Sequence, residues 1–162
     1  MYLTRFACLA ILVFMASATC ADEVIRFANE GSSLPISTAV EVDGLLFHSG
    51  VIPSPTNRDA ASGTFEYWGG TEVQAQSVLT KVESSLQNLG YEMGDVVKMT
   101  VFLVGDPETS GRLNFQGFMA AYNRFFGESS DGKLPARSLV EVAGLVAPGM
   151  LVEIEVIAAK SN

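Results

Sequence analysis

Cysteine is almost missing from this chain: Cys8 and Cys20 are the only two in 162 residues, and both fall near the start. The remaining body can form no disulfide framework and offers no thiolate nucleophile or zinc ligand. Histidine is scarcer still, with His48 alone, so a His-built metal centre is excluded as well. Basic residues are few, 10 Lys and Arg against 18 Asp and Glu, for a net charge of −8. Non-specific nucleic-acid binding needs cationic surface to displace counterions, and this balance argues against it. No Ser-His-Asp set, phosphate loop, internal repeat, heptad run or low-complexity tract is evident. The apolar run Phe6 to Ala16 is shorter than the roughly 20 residues that span a bilayer.

What is present suits a single ordinary domain. A hydrophobic content of 48%, including 10 Phe, can fill a core and argues against disorder. The start has its own layout: a short basic segment to Arg5, the apolar run, then the small residues of "SATCAD" before an acid. That is the pattern of a secretory signal peptide. Cleavage fits after Ala18 or Ala21, while Thr19 is bulky for the position before a lipidated Cys20. The expected organisation is a signal peptide over 1–21 and one domain over 22–162, exported to a periplasmic or secreted location. Processing would remove both cysteines and Arg5, leaving the domain one charge more acidic.

Within the domain, "VIRFAN" (24–29) reads as a strand and "AVEVDGLLFHSG" (39–50) as a hairpin turning at Asp43-Gly44. Residues 51–70, rich in Pro, Gly, Asn and Ser, predict a long loop, which in a compact domain is often functional. Thr71 with Gln74 reads as a capping box, and Ala75, Val78, Leu79, Val82, Leu86 and Leu89 form one helical stripe closed by Gly90. "DVVKMTVFLVG" (95–105) follows as a strand. A second helix carries Phe115, Phe118, Met119, Tyr122, Phe125 and Phe126, a core stripe, and stops at Gly127. "ARSLVEVAG" (136–144) and "LVEIEVIAA" (151–159) close the chain as strands. The fold class is α+β, in the order β-ββ-α-β-α-ββ, one mixed sheet with both helices on one face.

Alternation then sorts the late strands. Val140, Val142, Val152, Ile154 and Val156 are expected beneath the helices. Arg137, Leu139, Glu141, Leu151, Glu153, Glu155 and Ile157 are expected on the other face, joined by Lys98, Thr100 and Phe102. Half apolar and half charged, that face predicts a partner surface, and a homo-oligomer is inferred. On it Arg137 and Glu153 stand together with two readings open. They form a cross-strand ion pair at a subunit seam, or Arg137 grips an anionic substrate while Glu153 handles a proton or orients water. His48 reads as structural or solvated rather than catalytic. Tyr67 and Trp68 either pack the long loop down or line a cleft.

"HSGVIP", "GDVVKMTVFL", "AAYNRFFG", "PARSLVEVAGL" and "VEIEVIAA", in this order and spacing, resemble the RidA family (YjgF/YER057c/UK114, once called endoribonuclease L-PSP) over about 33–159. The resemblance implies a chorismate-mutase-like fold and a homotrimer around a barrel of sheets, with sites in clefts between subunits. It also implies cofactor-free hydrolysis of enamines and imines, such as 2-aminoacrylate-like 2-imino acids, to 2-keto acids and ammonia. The activity would be that of a 2-iminobutanoate/2-iminopropanoate deaminase-like hydrolase. By the same resemblance Arg137 clamps the substrate carboxylate, Glu153 positions or activates water, and the Ser49-Gly50 backbone approaches the ligand. No metal, nucleic acid or membrane partner is implied once the signal is removed.

Three positions depart from the family pattern. Ile36 stands where a substrate-holding phenol is usual, Met119 where Asn is frequent, and Leu139 where Cys is frequent. All three are expected to line the substrate site. The Arg-Glu pair favours imine hydrolysis, while the greasier rim leaves a second reading, a non-catalytic trimer of the same fold that binds small carboxylates. The older ribonuclease reading finds no basic aromatic groove to support it.

Overall fold

The computed structural model describes residues 23–30, 33–58, 65–67, 69–127 and 132–160. The expected signal peptide lies outside the described residues, as does Trp68. Two helices and six of the eight strands among the described residues follow the predicted order: β1 (Ile25–Ala28), β2 (Ser37–Val42), β3 (Leu45–Val51), β4 (Asn57–Arg58), β5 (Phe65–Glu66), α1 (Thr71–Asn88), β6 (Val96–Leu103), α2 (Phe115–Phe126), β7 (Ala136–Glu141) and β8 (Val152–Ala159). The short ribbon β4–β5 is an addition inside the loop after β3.

Six strands make one sheet in the order β1-β2-β3-β8-β6-β7. All neighbours are antiparallel except β6 and β7, whose parallel pairing follows from the α2 crossover between them. The β2–β3 hairpin turns as its sequence requires. Asp43 and Gly44 both take positive φ, 53° and 74°, the geometry of a tight turn whose twist matches the strands.

Helix α1 buries Ala75, Val78, Leu79, Val82 and Leu86 completely against the sheet. Each of its Val and Leu side chains contributes about 1.5–3 kcal/mol on leaving water. Its C-terminus closes with paired bonds, Tyr91 N–H to Leu86 O at 2.8 Å and Gly90 N–H to Gln87 O at 3.0 Å. Gly90 takes φ +78°, which glycine adopts without steric cost.

The expected capping box is overturned. Gly70 occupies the N-cap, without a side-chain cap. Fully buried Asp106 caps the helix from 35 residues away, its Oδ2 accepting from both the backbone and the hydroxyl of Thr71 at 2.7 Å. Gln74 instead ties the helix to the turn before β8, donating to Gly149 O and accepting from Leu151 N–H, both at 2.8 Å. Burial alone would raise the pKa of Asp106. Hydrogen bonds from Thr71, the Glu108 backbone and Asn114 outweigh it and hold the carboxylate below its usual range.

Helix α2 buries Phe118, Ala121, Tyr122 and Phe126, and its first aromatic, Phe115, stays 43% exposed. Both helices cover one face. Met99, Val101 and Leu103 of β6 lie beneath them with Val152, Ile154 and Val156 of β8. Lys98, Thr100, Phe102, Glu153, Glu155 and Ile157 turn the other way, as expected.

The last strands require a correction. β7 pairs with β6, not with β8, so Arg137 lies opposite Met99 and Leu139 opposite Val101. Both therefore share the helix-covered face, and Ser138 and Val140 take the open one. Lys98 Nζ donating to Ser138 Oγ at 2.8 Å agrees with this. Leu151, also expected on the open face, is buried just before β8 begins.

Candidate active site

Strand β3 carries an irregularity that its sequence hints at only through glycine. Its partners on β8 step from Val156 at His48 to Ile154 at Val51, so Ser49 and Gly50 hold one residue more than their neighbour can match. Such a bulge bends a strand and re-aims the side chains beyond it. Ser49 anchors it by donating its hydroxyl to Ser37 O at 2.7 Å. A Cβ at Gly50 would collide with Glu153 Oε1, so the carboxyl group lies directly against this backbone. Close approach of another group explains glycine inside a strand.

Glu153 is half-buried on the open face, beside Phe102 of β6. Burial and then the nearby charge of Glu155 raise its pKa. A carboxyl shifted upward keeps its proton to higher pH and, once ionised, is a stronger base. Ile36 follows a turn in which its N–H donates to Leu34 O at 2.9 Å, and remains 51% exposed. It lines a cleft of about 360 Å³ together with Ser37, Thr38, Ser49 and Gly50.

Arg137 sits in a different setting. Its guanidinium carbon lies 4.4 Å from the Tyr122 ring centre and 5.2 Å from that of Phe118. Nη1 reaches Met119 Sδ at 3.3 Å, and Leu139 packs half-buried against the same core. Stacking on aromatic faces holds a planar cation without consuming its in-plane donors. Among the described residues Arg137 forms no ion pair with a carboxylate. Burial raises the pKa of Tyr122 and the neighbouring Arg137 opposes that shift.

The expected site residues thus fall into two groups. Ile36, Ser49, Gly50 and Glu153 gather around the β3 bulge, while Arg137, Met119 and Leu139 gather at the β7 edge over α2. β6 stands between β7 and β8, and the two charged side chains leave opposite faces of the sheet. The ion pair considered from the sequence does not exist within one protomer.

His48 is buried at 8% exposure under α1, with Nδ1 2.7 Å from Ser49 O and Nε2 2.7 Å from Ser85 Oγ. A carbonyl can only accept, so Nδ1 carries the proton and neutral Nε2 accepts from the Ser85 hydroxyl. Burial lowers the pKa of this histidine, against a smaller opposing effect of the Ser49 carbonyl. Ser85 and Lys81, which share the cleft, were not expected from sequence. Their spacing of four on α1, beside the apolar stripe, is the signal that points to them. Tyr67 lies away from this region, in a hollow with Gly70, Asp106 and Gly149.

Comparison with known proteins agrees with this architecture. The family model for endoribonuclease L-PSP matches residues 29–160. A RutC family protein of Synechocystis is 37% identical over 124 residues, covering 76% of this chain and 85% of that protein. The 2-iminobutanoate/2-iminopropanoate deaminase of Escherichia coli is 33% identical over 126 residues, covering 78% of this chain and 88% of the enzyme. The crystal structure of E. coli TdcF with bound serine superposes with a TM-score of 0.61 at 30% identity, over 81% of this chain and 92% of that one. Matched over most of its length in both sequence and fold, the chain belongs to the endoribonuclease L-PSP family, which includes the RutC and YjgF proteins.

Proposed function

We propose that the protein hydrolyses 2-imino acids and their enamine tautomers to 2-keto acids and ammonia. The observation that carries this reading is Arg137, a guanidinium seated on two aromatic rings with no carboxylate partner among the described residues. Its planar fork suits the carboxylate of an incoming acid. Relatives named as imino acid deaminases support the same reading.

Two copies of the chain complete the site. One protomer contributes Arg137 with Met119 and Leu139, and its neighbour contributes Glu153, Ser49, Gly50 and Ile36. The half-apolar open sheet face provides the contact, in a homotrimer. Water held by Glu153 adds to the imine carbon as the C=N π pair moves to nitrogen. The proton released passes through the carboxyl to that nitrogen; the carbinolamine hydroxyl then gives its own proton by the same carboxyl to the amine, which leaves as ammonia as C=O forms. Orientation and charge complementarity supply much of the acceleration, since an imine is already electrophilic. Ile36 and Met119 make the rim apolar and favour larger apolar side chains. We also propose that residues 1–21 are removed on export, so mass spectrometry of the native protein should find them absent.

The test is turnover of a size-graded panel of freshly generated imino acids, read as keto acid formed. Glu153→Gln should lower kcat and kcat/KM together while 2-keto acid binding persists, because a residue that orients water acts in the transition state. Keto-acid binding without turnover in the unaltered protein would favour the non-catalytic trimer instead.

A further inference from the structure

Ser85 and His48 form a nucleophile–base pair that the deaminase reading does not use. Ser85 projects from the last turn of α1 toward β3, and its Oγ lies 2.7 Å from Nε2 of His48. The other ring nitrogen is locked 2.7 Å from the Ser49 carbonyl, fixing both tautomer and ring orientation. A serine, a base within hydrogen-bond reach and a group that orients the base together make an activated hydroxyl. A third polar group stands one turn away on α1: Lys81 Nζ donates to Ile52 O at 2.8 Å and keeps its remaining protons for another acceptor. All three side chains line the 360 Å³ cleft, whose apolar walls include Leu34, Ile36 and Ile52.

As core filling this arrangement is costly. An apolar pair between β3 and α1 would avoid desolvating an imidazole and a hydroxyl. Burial also holds His48 below its ordinary pKa of 6.5, so the imidazole is neutral and able to accept a proton near pH 7.

We propose that Ser85 and His48 form a second catalytic site, which hydrolyses small carboxylic esters with short apolar acyl chains through an acyl-serine. Ser85 Oγ attacks the ester carbonyl as its proton passes to His48 Nε2. The carbonyl oxygen takes up the electron pair beside the Lys81 ammonium. Collapse expels the alcohol, which leaves with the proton from Nε2. Water, deprotonated by the same nitrogen, then releases the acid and restores the serine. The step needs no cofactor and does not involve Arg137 or Glu153.

The test treats the purified protein with p-nitrophenyl butyrate and, separately, with a fluorophosphonate probe, and maps the modified residue by peptide mass spectrometry. A stoichiometric burst of nitrophenolate with label on Ser85 is expected. Ser85→Ala, which suits a helix interior, should lose both label and burst while imine hydrolysis persists. General-base catalysis is worth about a hundredfold or more, so His48→Gln with native circular dichroism should slow acylation by that factor. Absence of acylation, label on Lys81, or an undiminished rate in Ser85→Ala would overturn the proposal and leave the pair structural.

Discussion

On the helix-covered face of the sheet Met99, Val101, Leu103, Val152 and Ile154 have no solvent exposure, whereas on the opposite face Phe47 and Val140 keep 42% and 43% of theirs. The covered face is finished by the chain's own helices. The open face mixes those apolar groups with Lys98, Glu153 and Glu155 and is not closed by any described element. Arg137 belongs to the first surface and Glu153 to the second. A protomer therefore cannot assemble the proposed deaminase site alone.

Truncation on the covered face should have the largest effect. Ile154→Ala leaves a cavity among residues that cannot fully collapse, and should cost about 2–5 kcal/mol in urea unfolding. A loss well below that range would mean the covered face is less tightly packed than its exposure indicates. A charge on the open face should act differently. Phe47→Asp is expected to lower the mass measured by light scattering to that of a smaller species, with far-UV circular dichroism unchanged. An unaltered assembly would place the subunit contact elsewhere.

Arg137→Lys probes the covered side of the proposed site. It keeps the charge but loses the planar stacking on Tyr122 and Phe118 and the two-bond fork. A drop of about ten- to a hundredfold in kcat/KM is expected with the assembly intact, the cost of one charge-assisted hydrogen bond. Near-normal turnover would make the arginine structural.

The smallest effect concerns pH. His48 has a folded pKa below its unfolded value of 6.5, so between the two the unfolded chain binds more protons. Stability should be unaffected by this group above pH 6.5 and should fall as pH drops toward the folded value. Glu153 acts in the opposite sense, its raised pKa favouring the folded state as pH falls toward 4.5. Comparing unfolding of the unaltered protein with His48→Gln isolates the histidine. Equal slopes across this window would remove its pH dependence.

Most elements were legible in the sequence because their signals are local. Asp43-Gly44 marks its turn by backbone preference, Gly90 its helix end, and the α1 stripe its buried side by period. The faces of β6 and β8 were readable too, since each places only apolar residues on the covered parity and its charged residues on the other. β7 was not. In "ARSLVE" alternation groups Leu139 with the charged Arg137 and Glu141, and Val140 with Ala136 and Ser138, which points the charged set outward; pairing with β6 turns that set to the helix-covered face instead. Thr71 and Gln74 misled for a related reason: their spacing fits a local cap, but a buried carboxylate distant in sequence competes better.

Element order, the hairpin, the helix ends and family membership follow from neighbours along the chain, where propensity and period act within a few residues. Three features of function depended on the folded molecule: the face that Arg137 takes, the contact of Glu153 with Gly50, and the meeting of His48 with Ser85. Each is set by strand register or by packing of α1 on β3, between residues far apart in sequence. A shift of one residue in register reverses every side chain of a strand, and in β7 pairing with β6 overrides the local alternation.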